Sequence, residues 1–177
     1  TLDPYTTVTG STGTGTDDRI TGTNGANTLD GGAGNDLIIG GRGNDTLIGG
    51  MGSDVFRWGA ADHGSSATPA QDTIMDWSTA ATRDGGDVLD LRDLLVGESH
   101  GANLAAGVGN LANYLHFEYS GANTIVSISS TGLHTAGLPT SGTDLTIVLN
   151  GVDLVGAGLS DAQIIANLLA NGKLLTD

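Results

Sequence analysis

Asp36, Asp45 and Asp54 recur at nine-residue intervals, each as the sixth residue of a segment that opens Gly-Gly-x-Gly. A carboxylate held behind a glycine-rich turn is a hard oxygen ligand, and the turn brings backbone carbonyls close to it. That donor set suits Ca²⁺ better than a transition metal. The carbonyls on offer are those of Gly31, Gly32, Ala33 and Gly34, of Gly40, Gly41, Arg42 and Gly43, and of Gly49, Gly50, Met51 and Gly52.

The segments are GGAGNDLII, GGRGNDTLI and GGMGSDVFR (31–57), and the same frame extends upstream through GTNGANTLD (22–30) and GTGTDDRIT (13–21). Position one is Gly in all five units. Position six is Asp18, Asn27, Asp36, Asp45 and Asp54, and position eight is Ile20, Leu29, Ile38, Leu47 and Phe56. The first six residues of a unit form a tight turn, which glycine permits through positive φ and close backbone approach. The last three form a short strand with its middle side chain in the core. Two units make one coil, and same-parity units stack roughly 4.8 Å apart. Asp18, Asp36 and Asp54 then line one edge, Asn27 and Asp45 the other. Thr14, Thr16 and Thr23 replace turn glycines in the first two units, and Asn27 replaces a carboxylate, so those sites are expected to be weak or incomplete.

This period, with Gly, Asp and an apolar residue in fixed phase, resembles the calcium-binding parallel β-roll of the RTX family. The resemblance implies several bound Ca²⁺ ions. Further along, QDTIMDW and DGGDVLDL have acids bracketing apolar pairs, as at the C-terminal end of the rolls of serralysin-type proteases and RTX adhesins. By position, the resemblance carries a ligand role to Asp72, Asp87 and Asp62. Trp77 stands where that family usually has Phe, and the spacer between Asp76 and Asp87 is longer than in the proteases. The alternative is that these acids are caps and turn residues. From Asp87 onward, GDVLDLRDLLVGE, NYLHFEYSG, NTIVSISS, LTIVLNGVDL and a terminal amphipathic helix resemble the type I secretion region of large bacterial RTX adhesins.

The expected fold is therefore mainly β: a short right-handed parallel β-roll capped by a mixed, mostly β region with one or more short helices. Residues 1–12, rich in Thr, read as a linker or the last strand of a preceding module; 13–57 as the roll; 58–93 as its extension and cap; 94–177 as a β-rich region carrying the secretion signal. LRDLLVG reads as a short helical segment capped by Asp90, and Leu111 to Leu115 has helical spacing. HFEYS, NTIVSIS and TDLTIVLNG read as strands. Ser160 and Gln163 form a capping box ahead of Ile164, Ile165, Leu168 and Leu169, and Asn171-Gly172 stops the helix.

Composition narrows the function. Net charge is −14, which disfavours nucleic acid and anionic membrane as partners and favours cations. Aromatic residues make up 4% of the chain against thirty glycines, so core burial needs a supplement and bound ions supply one. There is no cysteine and no apolar run long enough to span a membrane. Thr1 in place of an initiator Met leads us to expect a piece of a longer chain.

Gly97-Glu98-Ser99-His100-Gly101 fits G-x-S-x-G, but a nucleophile elbow needs a core strand before it and a helix after it. We read it as a polar loop, and the chain as no enzyme. His63, His100, His116 and His134 are scattered. Ice binding through the early threonines and calcium-dependent carbohydrate binding are weaker alternatives, as is the calcium-binding tail of an exported protease or lipase. The resemblance implies a monomeric extracellular module, exported by an inner-membrane ATPase, a periplasmic adaptor and an outer-membrane tunnel. It would stay unfolded at low internal calcium and fold outside, where modules of this kind have Kd of about 10⁻⁴ to 10⁻³ M.

Overall fold

A computed structural model describes residues 5–8, 10–99, 108–134, 141–156 and 158–176. Its organising elements are the strands that end each nine-residue unit. These are β2 (Asp18–Thr21), β3 (Thr28–Asp30), β4 (Leu37–Ile39), β5 (Thr46–Ile48) and β6 (Val55–Arg57), one per unit and in phase. Ile20 pairs in register with Ile38 and Ile38 with Phe56, while Leu29 pairs with Leu47, so odd and even units build separate parallel sheets. Each coil thus meets the chain eighteen residues on. Ile20, Leu29, Ile38, Leu47 and Phe56 are all buried, which is what a period-two side-chain pattern in a three-residue strand requires.

Both sheets run past the repeats. β1 (Thr6–Val8) pairs in parallel with β2, so the Thr-rich start is the first strand of the odd-unit sheet. β8 (Val88–Asp90) follows β6, and β12 (Leu174–Leu175) closes that sheet in the order β1-β2-β4-β6-β8-β12, parallel throughout. β7 (Ala70–Ile74) follows β5 in the other sheet. Beyond it come β11 (Leu145–Leu149), parallel to β7, then β10 (Asn123–Ile128) and β9 (Leu115–Ser120), antiparallel. The meander expected as a cap is therefore a direct extension of the even-unit sheet.

One apolar core runs between the sheets, from Ile20 and Leu29 through Phe56, Trp58 and Ile74 to Ile128, Ile147 and Leu149. Scarce aromatics are concentrated where the repeats end: Phe56, Trp58 and Trp77 are buried there, sealing apolar surface that an open stack would expose. The terminal helix α1 (Asp161–Ala170) buries Ile164, Ile165 and Leu168, with Leu169 partly buried. The Ser160 N–H donates to Gln163 Oε1 at 2.9 Å, as the capping box predicts.

Two expectations change. LRDLLVG is not a helix: Leu94 and Leu95 both donate to the Leu91 carbonyl, making a single turn. Asp90 does not cap it as a helix. It accepts the Arg92 N–H and guanidinium instead, because a buried carboxylate recruits the nearest cation. Around Leu111 the helical spacing yields only one 3₁₀ turn, Leu111–Asn113, before β9 begins. Among the described residues, no helix is long and apolar enough to cross a membrane.

Candidate metal centre

Turn geometry separates the roles of the glycines. Position two has positive φ (Gly32 94°, Gly41 87°, Gly50 93°), as does position four (Gly34 127°, Gly43 123°, Gly52 136°). Position one does not; its constraint is space. A methyl group on Gly31 would lie 2.4 Å from Asp36 Oδ2 and 2.4 Å from the carbonyl oxygen of Gly49, one coil on. Asp36 Oδ2 and the Gly49 carbonyl therefore converge on the same small space. On Gly49 the methyl would meet Asp54 Oδ2 at 2.4 Å, and on Gly40 it would meet Asp45 Oδ2 at 2.5 Å.

The sixth-position side chains form two hydrogen-bonded ladders. On the odd edge the N–H of Asp18 donates to Asp36 Oδ1 (2.8 Å), that of Asp36 to Asp54 Oδ1 (2.8 Å), and that of Asp54 to Asp87 Oδ1 (3.0 Å). On the even edge the Asn27 N–H donates to Asp45 Oδ1 and the Asp45 N–H to Asp72 Oδ1, both at 2.8 Å. The residues assigned to 13–57 thus join without a break to Asp72 and Asp87, two of the three carried over by resemblance. Asp72 and Asp87 stand at the places the next two repeats would fill.

The second oxygens divide the ladder into two kinds of turn. At the N-terminal end, Asp18 Oδ2 accepts the Thr14 N–H (2.6 Å) and hydroxyl (2.8 Å), and Asn27 Oδ1 accepts the Thr23 N–H (2.6 Å) and hydroxyl (3.1 Å). At the far end Asp72 Oδ2 accepts the Trp58 indole N–H (2.7 Å) and Asp87 Oδ2 accepts the Ser78 N–H (2.7 Å). Between them Asp36 Oδ2, Asp45 Oδ2 and Asp54 Oδ2 are buried with no hydrogen-bond partner, as is Asp18 Oδ1. A buried carboxylate oxygen without a donor costs on the order of several kcal/mol unless a cation meets it. This donor set fits a calcium ion. Among the described residues no three His, Cys, Asp or Glu side chains cluster to hold a metal. An ion here would take its remaining oxygens from turn carbonyls, which is the donor class Ca²⁺ prefers.

Electrostatics agree. Burial pushes Asp54 up to about 7 against an ordinary 3.8, although the Asp36 N–H pulls the other way. Burial takes Asp72 to about 6, with the Trp58 indole opposing it. Asp36, Asp45 and Asp87 are also raised by burial. Asp90 behaves oppositely: burial raises it, but its bonds from Arg92 and the nearby Arg57 outweigh that, and it falls below 3.8. Asp90 is thus neutralised by cations of the chain itself, whereas no cation of the chain offsets Asp36, Asp45, Asp54 or Asp72.

Asp62 lies off the ladder. It accepts the Gly59 N–H at 2.8 Å as a turn residue, and its charge helps raise Asp45 and Asp72, which places it beside the even edge. Asp76, not singled out in the sequence, accepts the N–H groups of Gly49 and Gly50 at 2.9 Å each. A second, outer ladder was also missed. Asp17 Oδ1 accepts from the Asn35 N–H, Asn35 Oδ1 from the Ser53 N–H, and Asn44 Oδ1 from the Gln71 N–H. The signal was there: position five holds Asp, Asn or Ser in four units, residues that bond neighbouring backbone readily.

Ser99 is exposed, a turn rather than a strand leads to it, and its N–H donates to Asn110 Oδ1; His100 and Gly101 lie outside the described residues. His116 pairs with Asp161 at 2.9 Å, His134 with the Thr143 hydroxyl at 3.2 Å, and His63 with the Gly64 carbonyl at 2.8 Å.

Residues 12–47 and 32–59 match the family described as RTX calcium-binding nonapeptide repeat (4 copies). No curated protein sequence matches the chain. Among solved structures it is similar to the AlgE6R3 subunit of the mannuronan C5-epimerase of Azotobacter vinelandii, at 28% identity over 88% of this chain and 80% of that one, with a TM-score of 0.45. It is also similar to the AlgE6R2 subunit of the same enzyme, at 25% identity over 86% and 89%, with a TM-score of 0.33.

Proposed function

We propose, starting from a chain whose residues 12–59 are RTX calcium-binding nonapeptide repeats, that it is a calcium-gated folding module carrying a type I export signal at the C-terminus of a large extracellular adhesin. The observation that carries the calcium gate is the set of three buried, partnerless carboxylate oxygens on Asp36, Asp45 and Asp54. Each would take one Ca²⁺: that of Asp36 from the turns at 31–36 and 49–54, that of Asp54 from the turn at 49–54 and the loop ending at Asp87, and that of Asp45 from the turn at 40–45 and the loop ending at Asp72. Thr14 and Thr23 do with hydroxyls, in the first two turns, part of what an ion does in the others.

At low calcium the buried charges oppose closure of the turns, and the acidic, glycine-rich chain stays open enough to pass a narrow channel. Outside, ions bind and the coils stack. The adhesin setting and the export machinery rest on the resemblance of residues 87–177 to secretion regions, and the repeat itself acts as a structural calcium module without a catalytic role.

Native mass spectrometry of the calcium-saturated chain should count three ions, and Asp36→Asn, Asp45→Asn and Asp54→Asn should each remove one. Five ions in the wild type would overturn the assignment, since the Thr-capped turns would then be occupied too. For export, a parent chain lacking Gly151–Asp177 should accumulate inside the cell; normal secretion of it would refute the signal.

A further inference from the structure

The structure assigns Lys173 a role beyond packing: we infer that its ammonium is the resident cation of the last turn on the odd edge, standing where an added ion would otherwise be needed. This rests on the calcium reading above and extends it to a residue eighty-six positions beyond Asp87.

The loop from Met75 to Asp87 closes over the turn at 49–54. Asp76 ties down Gly49 and Gly50, the Ser53 hydroxyl donates to the Gly86 carbonyl, and Asp87 Oδ1 receives the Asp54 N–H. This loop is the successor of a calcium turn but lacks the Gly-Gly-x-Gly start, and no further repeat follows it on that edge. Instead Lys173 enters. Its Nζ donates to the Ser78 carbonyl at 2.9 Å and to the Asp87 carbonyl at 3.4 Å, and lies 5.2 Å from the centre of the Trp77 ring. A methyl on Gly86 would lie 1.8 Å from the Ala80 carbonyl oxygen and 2.5 Å from Nζ, so the Ala80 backbone demands that glycine and the ammonium packs beside it. Lys173 is 5% exposed. A buried cation ringed by two carbonyls, an aromatic face and the neighbouring Asp87 charge has the surroundings of a bound ion.

Its backbone fixes where that cation goes. Gly172 (φ 66°) ends α1, the Lys173 N–H returns to the Leu168 carbonyl at 2.8 Å, and the Leu89 N–H donates to the Lys173 carbonyl at 2.9 Å. Lys173 therefore joins the end of α1 to β12 and delivers a charge to the loop that orients Asp87. Asp87 in turn holds the Asp54 ladder bond. Calcium at Asp54 should consequently depend on the chain's last residues, whereas calcium at Asp36 and Asp45 should not.

The test is Lys173→Met in the full chain, read by calcium titration and by amide hydrogen exchange in saturating calcium. The titration midpoint of the Asp54 site should rise roughly tenfold, the scale of one charge-assisted hydrogen bond. Exchange protection should fall across 76–90 and at Asp54, but not at Asp36 or Asp45. In a Lys173→Met/Asp54→Asn double variant the rise should vanish. An unchanged midpoint with unchanged protection overturns the inference. If Lys173→Met does not fold, Lys173→Arg and Lys173→Gln decide: retention in Arg and loss in Gln supports a cation, and a wild-type Gln variant refutes one. A wild type indifferent to calcium sinks the calcium reading alone, because protection over 76–90 still reports on the ammonium.

Discussion

In excess chelator at pH 8 the roll should lose its strand signal in circular dichroism, and acidification towards pH 5 should restore part of it without any metal. The sign follows from the ladder carboxylates. Asp54 titrates at about 7 in the closed roll and near 3.8 in an open chain, so between those values the closed form holds a proton the open one does not. Closure without calcium is therefore favoured at low pH and weakens as pH rises, with the penalty complete above about 7. Asp72 adds the same trend up to about 6, and Asp36, Asp45 and Asp87 shift in the same direction. Calcium must displace these protons. With millimolar calcium the dependence should reverse, and the calcium midpoint should climb as pH falls from 8 to 5. A chelated chain as ordered at pH 8 as the calcium-loaded one would end the idea of a gate.

Gly31→Ala should abolish calcium-induced folding of the central coils while changing neither charge nor any ligand. The added methyl would meet Asp36 Oδ2 and the Gly49 carbonyl, both at 2.4 Å. Asp36 Oδ2 cannot swing away without straining the ladder bond that Asp36 Oδ1 accepts from the Asp18 N–H. Overpacking of this kind costs about 1–3 kcal/mol. A site that no longer fills forgoes about 1.4 kcal/mol more at calcium tenfold above its Kd. Gly15→Ala is the control: a methyl there meets nothing within 4 Å, and φ is not positive, so calcium response and stability should stay within ~0.5 kcal/mol of wild type. Equal behaviour of the two variants in a calcium titration would show that the space beside Asp36 is not the site.

The repeat made the roll legible. A turn and a three-residue strand in fixed phase leave only one way to bury Ile20, Leu29, Ile38, Leu47 and Phe56 together, and the same phase brings Asp36 over Asp54. Asp72 and Asp87 were found by resemblance rather than period, since their loops are longer by different amounts. What escaped was mostly non-local. Leu174-Leu175 is too short to show alternation, and its strand exists because β8 offers an open edge beside it. Nothing in the sequence around Lys173 marks it; only the tertiary fold sets its ammonium against Ser78, ninety-five residues away. Asp76 was hidden for the same reason, its partners Gly49 and Gly50 being supplied by another coil. LRDLLVG misled because its apolar spacing serves the core while Arg92 and Arg57 claim Asp90 and hold the backbone in a turn.

The parity of the coils sets a grammar for how this chain can change length. Between the repeats each rung joins residues eighteen apart, Ile20 to Ile38 and Leu29 to Leu47 alike. Loss or gain of eighteen residues moves both edges together and leaves the ends matched to the loops that finish them. Loss or gain of nine exchanges the edges: the Trp58 indole and Asp72 would then complete the stack meant for Ser78, Asp87 and Lys173. Duplication is thus admitted by the pair and refused by the single copy, so drift in repeat number among such rolls should proceed in even steps wherever both finishing loops are kept.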